Sequence, residues 1–233
     1  MVEAGLTPIN LTSVMIVNKR FALPLFSFLV AENGANHPAS TNTTLSAITA
    51  PFWQTGLNPY DISISCIEAV CYPELLHTRQ YLSLPSIRTK LGVDLSPSIP
   101  TNFTSCSSTV GQAFNLAQDI LQPSTPKYVA GLLERGVHVL VYVGDLDWIC
   151  NWRGNEKWTI GLEWSGQREF GEKVLRGWEV EGRRAGMTRS FSQEGGSDGS
   201  GGGGGRLTFA TVEGAGHMVP YNRPKESLVM VQR

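Results

Sequence analysis

Long apolar runs, an excess of charge of one sign and paired cysteine motifs are all missing from this chain of 233 residues. No run approaches the roughly 20 apolar residues that span a bilayer, so no membrane-crossing helix is expected. Nineteen Lys and Arg against twenty Asp and Glu give a formal net charge of -1. That balance lacks the basic footprint of a nucleic-acid binder, so nucleic acid is not expected as a partner. Only four cysteines are present. None forms a CxxC pair or a Cys/His metal spacing, so neither a metal site nor a cofactor is expected. No leader is expected at the start, because Met1-Val2-Glu3-Ala4-Gly5 is neither basic nor apolar. Lys19-Arg20 followed by the apolar Phe21 to Val30 imitates a leader internally, but a strand-like segment precedes it. With 41% hydrophobic and 17% charged residues, the composition is that of one or two globular domains.

What is present centres on Val137-His138-Val139-Leu140-Val141-Tyr142-Val143, a β-branched, apolar run suited to a strand buried on both faces of a parallel sheet. Leu132 to Gly136 before it reads as a helix end with glycine in the C′ position. Gly144-Asp145-Leu146-Asp147 follows, which places two carboxylates at the strand's carboxyl end, where open α/β sheets gather ligands. A second strand-like run, Leu207 to Val212, leads into Glu213-Gly214-Ala215-Gly216-His217-Met218-Val219-Pro220. The small residues there allow a tight loop and leave the imidazole projecting from a strand end. An acid after one strand and a later histidine after another fit the α/β-hydrolase order Ser…Asp…His. Strand alternation does not choose between Asp145 and Asp147, since residues two apart point the same way.

The two motifs together, Val-Leu-Val-Tyr-x-Gly-Asp-x-Asp-x-Ile-Cys-Asn-Trp over 139–152 and Gly-x-Gly-His-Met-Val-Pro over 214–220, resemble the serine carboxypeptidases. The resemblance implies an α/β-hydrolase fold in which Asp147 is the acid and His217 the base of the catalytic triad. It also places Cys150 and Met218 in the substrate site. A buried core thiol and plain packing are the structural alternatives for those two. It further implies a disulfide between Cys66 and Cys71, with Cys106 and Cys150 outside any disulfide. The substrate implied is the C-terminus of a peptide or protein, and the compartment is secretory or vacuolar. Sequons at Asn10, Asn42 and Asn102 are compatible with that compartment and are candidate glycosylation sites.

The likeness covers most of residues 9–18 and 51–233, the C-terminal portion of a complete enzyme. Residues 19–50 diverge. The fold class expected is therefore α/β, an incomplete α/β-hydrolase fold: the C-terminal half of a mostly parallel sheet flanked by helices. Strands are expected near 10–17, 137–143 and 207–212, with helices over 111–121, 127–135, 169–182 and 223–233 and another opening at 154–158. The glycine-rich stretch 190–205 reads as a loop. A serine hydrolase needs a Gly-x-Ser-x-Gly elbow between a strand and a helix. The formal match, Gly195-Gly196-Ser197-Asp198-Gly199, has neither on its flanks and lies on the wrong side of Asp147. The nucleophile is thus expected outside this sequence. A non-catalytic relative, or an acyltransferase on the same scaffold, are the alternative readings.

Overall fold

A computed structural model describes residues 11–17, 49–66, 72, 74–94, 96, 99–117, 124–193 and 204–232. Asn10, Asn42, Cys71, residues 19–48 of the divergent segment and the glycine-rich residues 194–203 lie outside them. Two compact units form, one from residues 1–65 with 123–233, the other from 66–122.

The first unit holds a sheet of five strands: β1 (Ser13–Val17), β4 (His138–Gly144), β5 (Arg176–Val180), β6 (Arg183–Ser192) and β7 (Arg206–Val212), in the order β1-β4-β7-β6-β5. A separate hairpin pairs β2 (Leu57–Asn58) with β3 (Asp61–Ser65). As the residue pattern requires, β4 lies in the interior, parallel to β1 on one side and to β7 on the other. Alternate β4 side chains enter two cores. Val139, Val141 and Val143 join Leu133, Leu207, Phe209 and Phe170 on one face, while Tyr142 joins Trp178, Val212 and Met230 on the other. Each fully buried large apolar side chain stabilises the fold by about 1.5–3 kcal/mol relative to exposure.

The sheet is less uniformly parallel than the sequence suggested, because β5 and β6 extend it by antiparallel pairing at one edge. The helix expected over 169–182 is correspondingly short, Gln167–Glu172, and the strand β6 runs on through Ser190–Ser192, which the sequence assigned to a loop. The physical reason is a tight turn. Glu181 and Gly182 have φ values of 50° and 72°, the left-handed pair that a two-residue hairpin of matching twist demands. Trp178 then fastens the added strands by donating its indole N–H to the Thr211 carbonyl at 2.9 Å.

Helices surround this sheet. The helix Ser124–Leu133 buries Val129, Ala130 and Leu133, and it ends as its sequence implies. Gly136 N–H donates to Leu133 and Val137 N–H to Leu132, with Gly136 at φ 78°, a Schellman closure that delivers the chain into β4. The helix Trp152–Ile160 starts at Asn151, whose side chain accepts from Gly154 N–H at 2.9 Å. Asn151→Ala should therefore cost about 1 kcal/mol. A fall in the urea midpoint without a change in slope is the expected measurement, and an unchanged midpoint would refute the cap. The chain closes with Val219–Asn222 and Pro224–Gln232, the latter with Pro224 in its first turn as expected. A cavity of about 800 Å³ opens beside β1, lined among others by Met15, Leu140, Trp178 and Met230.

The second unit contains the helices Glu74–Ser83, Pro85–Lys90 and Ser108–Leu116. Buried Arg88 donates to the Pro100 carbonyl at 2.9 Å, and Ser83 Oγ accepts from Phe103 N–H, which ties the loop after the second helix back to the first. Asn102 is exposed. Cys66 is disulfide-bonded, whereas Cys106 is an exposed thiol.

Candidate active site

Parallel pairing of β4 with β7 brings the loops after both strands side by side at their carboxyl ends. They approach closely. Asp145 N–H donates to the Val212 carbonyl and Leu146 N–H to that of Ala215, and a methyl group on Gly144 would overlap the Ala215 carbonyl. A glycine is needed there for the loops to meet.

The two acids take different partners. Asp145 Oδ1 accepts from Gly214 N–H at 2.7 Å and so holds the histidine loop at a glycine with φ 69°. Burial pushes the Asp145 carboxyl above the usual carboxylate range, against the opposing pull of that N–H. Asp147, whose side chain is fully buried, accepts from Cys150 N–H through Oδ1 and faces His217 Nδ1 with Oδ2 at 2.8 Å. These residues are seventy apart in sequence. Facing a carboxylate, Nδ1 has to carry the proton and donate it, which puts the accepting lone pair of the neutral ring on Nε2. The His217 side chain is 34% exposed, so the imidazole is reachable while its acid partner is sealed off.

A further set of groups positions this pair. The β2–β3 hairpin inserts between the loops through backbone atoms: the Pro59 carbonyl accepts from Trp148 and Ile149 N–H, Ile62 N–H donates to Leu146, and the Tyr60 carbonyl accepts from His217 N–H at 2.7 Å. The Tyr60 ring meets the imidazole edge to face, with centroids 5.1 Å apart. Buried Asn58 fixes the turn by accepting from Tyr60 N–H. Sequence reasoning missed these roles. Asn58-Pro59-Tyr60-Asp61 is visible as a turn signal, but carbonyl acceptors carry no side-chain signature. Cys150 lies buried beside the pair, its carbonyl accepting from Asn155 Nδ2 at 2.8 Å, and Met218 is partly exposed immediately after His217.

The strand order and these strand-end residues are those of an α/β-hydrolase-type fold. The sequence pattern of the serine carboxypeptidase family matches residues 29–233, and the chain belongs to that family. It is 37% identical over 184 residues to carboxypeptidase Y of Candida albicans, covering 78% of this chain and 30% of that protein. With carboxypeptidase Y of Schizosaccharomyces pombe it shares 38% identity over 188 residues, 80% of this chain and 17% of that one. In fold it is similar to Kex1(delta)p, a prohormone-processing carboxypeptidase from Saccharomyces cerevisiae. There the TM-score is 0.62 at 19% identity, over 99% of this chain and 57% of that one. The chain thus spans about a third or less of the length of the curated relatives it matches.

Proposed function

We propose that this chain supplies the acid and base of a serine carboxypeptidase active site, acting on the C-termini of peptides or proteins, with the nucleophilic serine outside these 233 residues. The observation that carries the reading is the 2.8 Å approach of buried Asp147 to reachable His217 across two strand-end loops. In that reaction His217 Nε2 takes the proton of the serine hydroxyl and returns it to the leaving amine, while Asp147 holds the tautomer and stabilises the cation. Cys150 and Met218 line the substrate side of the pair. The proposal extends to a Cys66–Cys71 disulfide, to glycosylation at Asn102, and to the vacuolar or secretory compartment; a relative from Saccharomyces cerevisiae is named as a vacuolar serine-type carboxypeptidase.

Fusion of the chain to the upstream two-thirds of the Candida albicans relative tests the reading. Release of the C-terminal residue from a blocked dipeptide, together with labelling by a serine-directed organophosphorus reagent, is expected in the fusion and absent from the chain alone. Robust, inhibitor-sensitive turnover by the chain alone would overturn the placement of the nucleophile. Turnover by the fusion that is indifferent to His217→Ala would overturn the role of the pair.

A further inference from the structure

No metal spacing is visible along the sequence, yet folding assembles three metal-type donors at one point. A carboxylate oxygen of Asp147, the Cys150 sulfur and an imidazole nitrogen of His217 all lie within 4.8 Å of one another. Asp147 and Cys150 are buried, and His217 is half-buried. Each donor is held by its backbone rather than left to wander. Cys150 is pinned through its N–H to Asp147 and through its carbonyl to Asn155, and His217 is pinned through its N–H to the Tyr60 carbonyl.

Oxygen, nitrogen and sulfur ligands on one zinc-like ion, at their usual bond lengths in a tetrahedron, stand about 3.3–3.6 Å apart. From the observed spacing the sulfur has to close by little more than an ångström. The Asp147–His217 pair has to open only by about half an ångström from its 2.8 Å approach to reach that separation. A sulfur ligand beside an imidazole selects soft and borderline ions over magnesium or calcium. Beside the buried Asp147 and Cys150, a divalent charge is attracted to the carboxylate and thiolate more strongly than it is in water.

We propose that Asp147, Cys150 and His217 form a three-ligand site for a thiophilic divalent cation of the zinc or cadmium class, with the fourth position open on the exposed side of His217. On binding, the Cys150 sulfur gives up its proton to solvent and the cation takes its electron pair. The imidazole proton moves from Nδ1 to Nε2, and Nδ1 binds the cation. With a proton on Nε2, His217 has no lone pair for a serine hydroxyl, so cation binding and general-base action exclude each other. The site rests on the same geometry as the proposed acid and base but needs no nucleophile, and its test reads binding rather than turnover.

The test titrates cobalt(II), as a spectroscopic stand-in for zinc, into the purified full chain and into the Cys106→Ser, Cys150→Ser and His217→Ala variants. Near-ultraviolet circular dichroism checks that each is folded. Expected are one cobalt per chain and a sulfur-to-cobalt charge-transfer band in the wild type and in Cys106→Ser, both displaced by zinc or cadmium. In Cys150→Ser the band should vanish. Affinity in Cys150→Ser and His217→Ala should fall by at least about 100-fold, the upper end of what losing only a group behind a ligand costs. A folded wild type without the band, a band that survives Cys150→Ser, or one abolished by Cys106→Ser would overturn the site. If Cys150→Ser does not fold, cadmium-113 resonance on the Cys106→Ser protein decides. A shift indicating one sulfur ligand supports the site, and an oxygen-only shift refutes it. Loss of turnover in the fusion with cobalt binding intact would count against the proposed function alone.

Discussion

Asp147→Asn in the fused enzyme is expected to lower kcat/KM by about 10⁴-fold, close to 5.5 kcal/mol of transition-state stabilisation. The amide that replaces the buried carboxylate can turn its NH₂ toward His217 Nδ1. The imidazole then carries its proton on Nε2 and cannot accept one from a serine, although its position barely changes. Asp145→Asn is the informative contrast. Asp145 accepts from Gly214 N–H, whereas Asp147 is the acid at His217 Nδ1, and an amide oxygen at 145 can still accept the Gly214 bond. Its loss should therefore be smaller by orders of magnitude. Steady-state kinetics on a blocked dipeptide measure both variants. If Asp145→Asn proved the more damaging, the assignment of the acid would fall.

That contrast marks a boundary of what the sequence makes legible. Alternation along a strand leaves Asp145 and Asp147 on one side, and only resemblance to the serine carboxypeptidases favours the second. The structure separates them by partner, because the loop turns after Gly144. The parallel strands β4 and β7 were readable because their side chains are dominated by apolar, largely β-branched residues, as burial on both faces demands, and β1 carries the same kind of run although Met15 is exposed at the sheet edge. The β5–β6 hairpin was not. Arg176-Gly177-Trp178-Glu179-Val180 alternates too briefly for a period to emerge, and its turn uses Glu-Gly in place of the Asn-Gly or Asp-Gly that signals such a hairpin. The wedge from Pro59 to Ile62 was hidden for another reason, since it works through backbone atoms. The cluster of Asp147, Cys150 and His217 was hidden because seventy residues separate its two ends and no local spacing encodes it.

The antiparallel addition carries a buried charged pair whose disruption should cost this edge much of its stability. Arg189 on β6 and Glu156 on the helix Trp152–Ile160 meet at 3.0 Å, with side chains only 9% and 14% exposed. Arg189 also donates through Nε to the Lys173 carbonyl at 2.7 Å, and its guanidinium lies over the Phe170 ring at 5.7 Å. Attraction inside such a pair is largely offset by the cost of removing both charges from water, so its net worth is small. Breaking it is another matter. Glu156→Met leaves the arginine buried with no counter-charge and should cost about 3–5 kcal/mol, a large part of the roughly 5–15 kcal/mol that holds a domain together. Arg189→Met added to Glu156→Met removes the stranded charge while keeping the volume apolar, and should return most of that loss. Urea unfolding of the two single variants and the double variant at constant slope provides the cycle. A double variant as unstable as the worse single one would show that the edge depends on the ion pair itself rather than on avoiding an uncompensated charge.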